Sequence, residues 1–224
     1  MKKFEGLPRE IIALRISREI EENSYVNLGI GIPTLVGNWL EGRDIHLQSE
    51  IGMLKTGAMA EGDDIDQDLI NASCQAVTEV PGTSYFDLVE SFAMIRGGHV
   101  DVTVMGAFQV NEQGSFASWM NPSRGHTHVG NVGGSMDLAV GAKKLFIAME
   151  HQTKQGEPKV VAKLTYPATA IKKVQKIFTD LAVIEVTDKG LLLKELYPGL
   201  TPEDIQSVTE PKLIIDPELK EIEL

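Results

Sequence analysis

Glu50 stands in the stretch LQSEIGMLKTG (47–57), flanked by apolar and small residues, and the nearest cation in that stretch is Lys55. A glutamate engaged in an ordinary ion pair would have a Lys or Arg close by on a helix face, so this carboxylate asks for another explanation. One chemistry open to it is an acid–base dyad with a second carboxylate. Asp44, Glu79 and Asp87 are the available partners, but no short spacing fixes two of these four residues on one element. The dyad therefore has weak support.

Other segments also carry residues suited to chemistry. Asn27-Leu-Gly-Ile-Gly-Ile-Pro33 looks at first like a dinucleotide fingerprint, but a third glycine is missing and Pro33 falls where the pattern would continue. Gly29 and Gly31 are equally well read as a simple strand-to-helix turn. His126 and His128 would put two imidazoles on one side of an extended stretch, a metal site only if a distant third ligand such as His99 joined them. Short histidine pairs in polar loops are more often solvated, so no metal is expected. Cys74 has no neighbouring His or Asn arrangement to activate it and is expected to be a buried spectator. Arg96-Gly97-Gly98-His99 reads either as a tight helix stop or as a place where backbone approaches a ligand. Trp39, Trp119, Met94, Met105 and Met120 read as core and interface filling.

The elements that must position these residues follow from periodicity. Pro8 with Ile11, Ile12, Ile16 and Ile20 predicts an amphipathic first helix. Residues 25–29 predict a strand, 32–40 a short helix and 44–49 a second strand, a unit typical of parallel sheets. Further on, 75–80 is expected as a strand, 86–98 as a helix, and 99–110 as one long strand whose NEQG turn (111–114) folds 115–120 back. A helix is expected to start at 133, followed by strands at 144–150 and 159–164 and a helix over 169–181. Residues 182–196 predict a strand, turn and strand, and 201–210 a helix capped by Thr201. No repeat or linker divides the chain. The expectation is a single domain, residues 1–224, of the α/β class, with an open, mostly parallel sheet flanked by helices.

In such sheets ligands lie beyond the carboxyl ends of the strands. Asn27–Gly31, Ser49–Gly57 and Asn121–Gly134 fall at such ends, which places Glu50 at the mouth of the sheet beside glycine-rich backbone.

Composition limits the partners. The 224 residues carry a formal net charge of −11, with 42% hydrophobic and 24% charged residues. That balance argues against nucleic acid, which needs clustered Lys and Arg. No apolar run is long enough to span a membrane, the N-terminal stretch is too often interrupted by charge for a signal peptide, and a lone cysteine suits a reducing compartment. A cytoplasmic protein is expected.

Taken together, VNLGIGIPTLV, LQSE-x-G, SFAMIRGGHVDVTVMGAFQV and GGSMDL followed by IAMEH closely resemble the B subunit of family I CoA-transferases. This is the group of 3-oxoacid, acetoacetate–butyrate and related acyl-CoA:carboxylate CoA-transferases. The resemblance covers nearly the whole chain and implies the CoA-transferase fold. It also implies that Glu50 is a nucleophile, forming an acyl-glutamyl anhydride and then a glutamyl-CoA thioester, with backbone amides of Asn27 and Gly134 as donors to the tetrahedral intermediates. Gly29, Gly31, Ser49, Ile51, Gly52 and Gly133 would then surround the substrate. Coenzyme A enters as a substrate, with no tightly bound cofactor. The implied partner is an A subunit, in a heterotetramer or larger assembly whose active site lies between the two kinds of chain.

Three departures lie near the implied site. Ile51 replaces the usual Asn, Lys55-Thr-Gly-Ala58 replaces a Gly-x-Gly-Pro loop, and NPSRGHTHVGNV (121–132) differs from the usual Pro-Gly-Lys. Lys55, Arg124, His126 and His128 could recognise a second carboxylate or a keto group, or face solvent. An acyl-CoA hydrolase on the same scaffold and a non-catalytic ligand-binding domain are the competing readings.

Overall fold

The computed structural model of the chain describes residues 4–122 and 132–223. Ten strands form the central sheet: β1 (Tyr25–Leu28), β2 (His46–Ser49), β3 (Met53–Met59), β4 (Val77–Tyr85), β5 (Val102–Gly106), β8 (Lys144–Met149), β10 (Lys176–Thr179), β11 (Ala182–Thr187), β12 (Gly190–Leu196) and β13 (Leu213–Glu221). Their order across the sheet is β13-β12-β11-β10-β8-β5-β1-β2-β3-β4. β2, β1, β5, β8 and β10 pair in parallel, while β3, β4, β11 and β12 add antiparallel flanks. A second, three-stranded sheet holds β6 (Gln109–Asn111), β7 (Phe116–Ala117) and β9 (Val160–Val161).

β8 reads as a nearly unbroken apolar run because both of its faces are covered. Successive side chains go to opposite layers. Val102, Val104, Phe146 and Ala148 join a core built with Ile12, Ala13 and Ile16 of helix α1 (Arg9–Ser17) and with Ile32 of α2 (Ile32–Leu35). Met105, Leu145, Ile147 and Met149 join the opposite core, with Ile95 of α3 (Leu88–Arg96) and Leu138 of α4 (Ser135–Gly141). α1 is also tied to the sheet through charge: Arg15 grips Glu195 of β12 with two hydrogen bonds of 2.7 and 2.8 Å and bonds Glu19 at 2.6 Å.

Several sequence expectations need correction. Residues 99–110 are two strands in different sheets, since the chain leaves the main sheet after Gly106 and β6 pairs with β7 and β9. The helix expected over 169–181 is absent. Its apolar residues have helical spacing, yet Ile177 and Phe178 are both buried in opposite cores, which only a strand allows, and Ile171 is exposed. The 53–59 stretch, read as loop through Lys55–Ala58, is β3. β13 lies beyond the last element that periodicity predicts. Cys74, read as a buried spectator, is exposed. The strand expected over 159–164 is only Val160–Val161, in the small sheet. Two local signals hold: the NEQG turn closes with Gly114 N–H on the Asn111 carbonyl, and α5 (Pro202–Ser207) has a capping box between Thr201 and Asp204. No helix among the described residues is long and apolar enough to cross a membrane.

Candidate active site

The β2–β3 connection determines where Glu50 points. Ser49 pairs with Met53 across the antiparallel strands, leaving Glu50, Ile51 and Gly52 as a three-residue hairpin tip closed by Gly52 N–H on the Ser49 carbonyl at 3.0 Å. Gly52 has φ +125°, and a Cβ there would land on the Phe86 carbonyl oxygen. Only glycine fits this tip, which lifts Glu50 above the carboxyl edge of the sheet.

From that position Glu50 faces a cleft of about 880 Å³ that crosses the ends of β2, β1, β5 and β8. Gly29, Gly31, Ile51, Gly133 and Gly134 line the same cleft. The structure thus brings six of the nine residues picked out by resemblance around one space. Gly134 is the N-cap of α4, and a Cβ on it would sit 3.0 Å from Phe92 Cζ and 3.6 Å from Glu50 Cγ. Phe92 and Gly134 therefore form the wall against which the glutamate stem rests. Gly29 N–H is engaged with the Val104 carbonyl at 2.9 Å, and Gly31, with φ +96°, turns the chain into α2.

The remaining three residues lie beneath the cleft. Asn27 is 1% exposed and sits inside β1, paired with Gln48 on one side and Thr103 on the other. Its backbone belongs to the sheet, and it is the side-chain amide that reaches Glu50, with Nδ2 donating to Oε2 at 3.1 Å. Gly52 shapes the hairpin. Ser49 turns into a separate cavity of about 60 Å³ behind the strand, its buried hydroxyl unpartnered among the described residues.

Sequence reasoning missed the layer below Glu50. Asn27 Nδ2 also donates to the Gln48 carbonyl at 3.1 Å and to Gln48 Oε1 at 2.8 Å, and Gln48 Nε2 donates to Ser91 Oγ at 2.9 Å. All three polar residues are buried. This buried polar network joins Glu50 to α3, with Asn27 Oδ1 left without a partner among the described residues. α3 is itself capped by Asp87, whose carboxylate accepts the Glu90 N–H at 2.8 Å. The signal available in the sequence was Gln48, a polar residue within a strand two positions before Glu50.

The other sequence candidates fall outside this arrangement. Lys55 lies over Gly82 of β4. Glu79 accepts a hydrogen bond from Tyr85. Arg96 bonds Asp137 of α4 at 2.7 Å and stacks on Phe92 at 5.5 Å, joining the two helices that form the wall. Among the described residues no group of His, Cys, Asp and Glu is placed to hold a metal. Arg124, His126 and His128 lie outside the described residues.

The far end of the cleft is charged. Arg9, Glu150 and Lys159 line it. Arg9 Nε donates to Glu150 Oε1 at 2.9 Å, and Lys159 Nζ is 3.8 Å from Glu150 Oε2. Burial holds the Lys159 ammonium below the ordinary lysine range, against the weaker opposing pull of Glu150 and Asp180. Beside this group, His151 is fully buried between Thr179 and Thr209, at 2.9 Å from each hydroxyl. Burial pushes its imidazole down to about 4.

A carboxylate on a hairpin at the carboxyl edge of a mostly parallel sheet, faced by a glycine-capped helix, fits the class of α/β proteins whose ligands lie beyond the strand ends. The chain belongs to the coenzyme A transferase family, whose model matches residues 9–207. It is 46% identical over 216 residues to the B subunit of the 3-oxoadipate CoA-transferase of Acinetobacter baylyi, covering 94% of this chain and 97% of that one. It is 42% identical over 217 residues to the beta chain of the acetate CoA-transferase of Haemophilus influenzae, covering 96% of each. Its fold matches the apoenzyme of an acyl-CoA transferase from Escherichia coli O157:H7 with a TM-score of 0.79 at 21% identity, over all of this chain and 44% of that longer one. The chain is thus a CoA-transferase subunit of the B type.

Proposed function

We propose that this chain carries the nucleophile of a CoA-transferase that moves CoA between an acyl-CoA and a carboxylic acid, and that the nucleophile is Glu50. The observation that carries this reading is the placement of Glu50, oriented by a buried amide and resting against Gly134 in an open cleft.

The reaction involves no net proton transfer. A Glu50 carboxylate oxygen attacks the thioester carbonyl, the C–S bond breaks, and an acyl-glutamyl anhydride forms with release of CoA thiolate. The thiolate attacks the glutamyl carbonyl of the anhydride and expels the first carboxylate, leaving a glutamyl-CoA thioester. The acceptor carboxylate attacks that thioester and expels the thiolate, which then attacks the acceptor's own acyl carbonyl. The products are a new acyl-CoA and free Glu50. Each covalent intermediate splits one difficult transfer into easier steps.

The N–H of Gly134, where α4 begins, is suited to donate to the oxyanions formed next to Glu50. The Asn27 side chain orients the attacking carboxylate. Supporting a partner A subunit over the cleft, Ile30, Ile51, Leu88 and Phe108 are exposed around it, and Val89, Met136 and Val140 are exposed on the adjoining helices. An apolar rim of this kind is what a protein partner covers. The assembly is a heteromer, a heterotetramer or larger, acting in the cytoplasm on CoA esters as substrates and holding no tight cofactor.

The test is intact mass measurement on the chain co-expressed with its A-type partner, incubated with acetoacetyl-CoA, butyryl-CoA or succinyl-CoA without acceptor acid. A CoA-sized adduct on this chain that disappears in Glu50→Ala is the expected result. Steady release of free CoA without an adduct would replace transfer by hydrolysis. Absence of both would overturn the reading.

A further inference from the structure

The amide that reaches Glu50 is oriented from its nitrogen side only. Asn27 Nδ2 faces three acceptors: the Gln48 backbone carbonyl at 3.1 Å, Gln48 Oε1 at 2.8 Å and Glu50 Oε2 at 3.1 Å. Asn27 Oδ1 has no partner among the described residues. Turning the amide over would set Oδ1 against the same three oxygens, so the acceptors choose which end of Asn27 meets the carboxylate. Two of the three belong to Gln48, and the shortest contact is to its side chain.

Gln48 is itself held on two sides. The parallel register of β1 and β2 stands it beside Asn27, and its Nε2 donates to Ser91 Oγ of α3 at 2.9 Å. With Nε2 turned to Ser91, Oε1 is the end left for Asn27. The bonds run in one direction: Ser91 accepts from Gln48, Gln48 Oε1 accepts from Asn27, and Asn27 donates to the carboxylate of Glu50. Ser91, Gln48 and Asn27 are all buried, where bonds in series polarise one another. The segment leading into α3 also holds the hairpin, since Phe86 N–H donates to the Gly52 carbonyl at 3.0 Å. One helix and its approach thus anchor both the hairpin and the amide that aims its glutamate.

We infer that Gln48 and Ser91 are positioning residues for transfer at Glu50: acting through Asn27, they fix the carboxylate in its line of attack. Neither lines the cleft that Glu50 faces, so their effect falls on the rate of the chemical step and not on substrate binding. This rests on the reading of Glu50 as the nucleophile and adds to it the residues that aim it.

The experiment is a double-mutant cycle on the complex co-expressed with its A-type partner, using Gln48→Met, Asn27→Ala and the two combined. Met keeps the length of the unbranched stem and removes the amide. Release of CoA from acetoacetyl-CoA or succinyl-CoA is followed in a single turnover, with kcat and KM measured at steady state. Gln48→Met should lower the single-turnover rate and kcat about tenfold, as for loss of one net hydrogen bond, with KM changed by less than about twofold. In the Asn27→Ala background the same substitution should change the rate by less than about twofold, because its route to Glu50 is gone. Equal losses in both backgrounds, no loss in either, or a loss carried by KM overturns the assignment. Ser91→Ala, which suits a helix, should lower the rate about threefold, again only while Asn27 is present. It decides the matter alone should Gln48→Met fail to assemble. A wild-type complex that forms no CoA adduct on Glu50 overturns the nucleophile and its positioning together, whereas an adduct with additive losses overturns the positioning alone.

Discussion

Asn27 Nδ2 lies 3.1 Å from Glu50 Oε2, so a residue buried in the first strand of the sheet holds the carboxylate on the hairpin after the second. The contact crosses from β1 to β2 and depends on their parallel register, in which Asn27 stands beside Gln48 and Glu50 follows two residues later. Hydrogen bonds to charged groups contribute about 1.5–3 kcal/mol. Asn27→Ala should therefore lower kcat of the assembled enzyme by roughly 10- to 100-fold. Stopped-flow measurement of thioester cleavage would check this, and an unchanged rate would show that Glu50 needs no such restraint.

Gly134 should not tolerate a side chain. A methyl group there meets Phe92 at 3.0 Å and Glu50 Cγ at 3.6 Å, in a wall braced by the Arg96–Asp137 pair. Gly134→Ala should leave the circular dichroism spectrum and assembly intact and lower kcat/KM by roughly tenfold or more, given the effect of misplacing reacting groups slightly.

Arg15 connects α1 to the sheet through Glu195, which is buried, while Lys176 holds Glu19 on the other side. Despite burial, these carboxylates hold the guanidinium above its ordinary range. Removing it leaves Glu195 in place with, among the described residues, only Lys220 as a cationic partner, at 3.7 Å. Arg15→Ala should destabilise the fold by about 3–5 kcal/mol, and Arg15→Met combined with Glu195→Leu should recover much of that. Urea denaturation of both variants measures the difference.

His151 makes stability depend on pH. Its imidazole is held neutral in the fold, with a pKa of about 4 against an ordinary 6.5. The unfolded chain therefore binds the extra proton between those values. The contribution is complete above pH 6.5 and is lost as pH falls from 6.5 toward 4, at about 1.4 kcal/mol per unit. His151→Gln should flatten the decline of Tm over that window, which differential scanning calorimetry would register.

Much of this was legible in the residues. The 25–49 strand–helix–strand unit, the hairpin of 182–196 and the cap at Thr201 are local patterns, because alternation, turn glycine and capping side chains act within a few residues. The motifs around Gly29, Glu50 and Gly134 marked three chain segments, and the cleft brings them together. What escaped were features set by long-range partners. Residues 169–181 have helical spacing, but Lys176–Thr179 fills the sheet between β8 and β11, and burial on both sides overrode the local preference.

The sequence by itself determined the family, the identity of Glu50 and the glycines that leave space around it, since these are properties of residue type and order. Tertiary structure decided the direction of the Asn27 amide, the Gln48–Ser91 support beneath it and the meeting of Arg9, Glu150 and Lys159 at the far end of the cleft. Those residues come from elements far apart in the chain. Their juxtaposition depends on strand order and register, which no local pattern encodes.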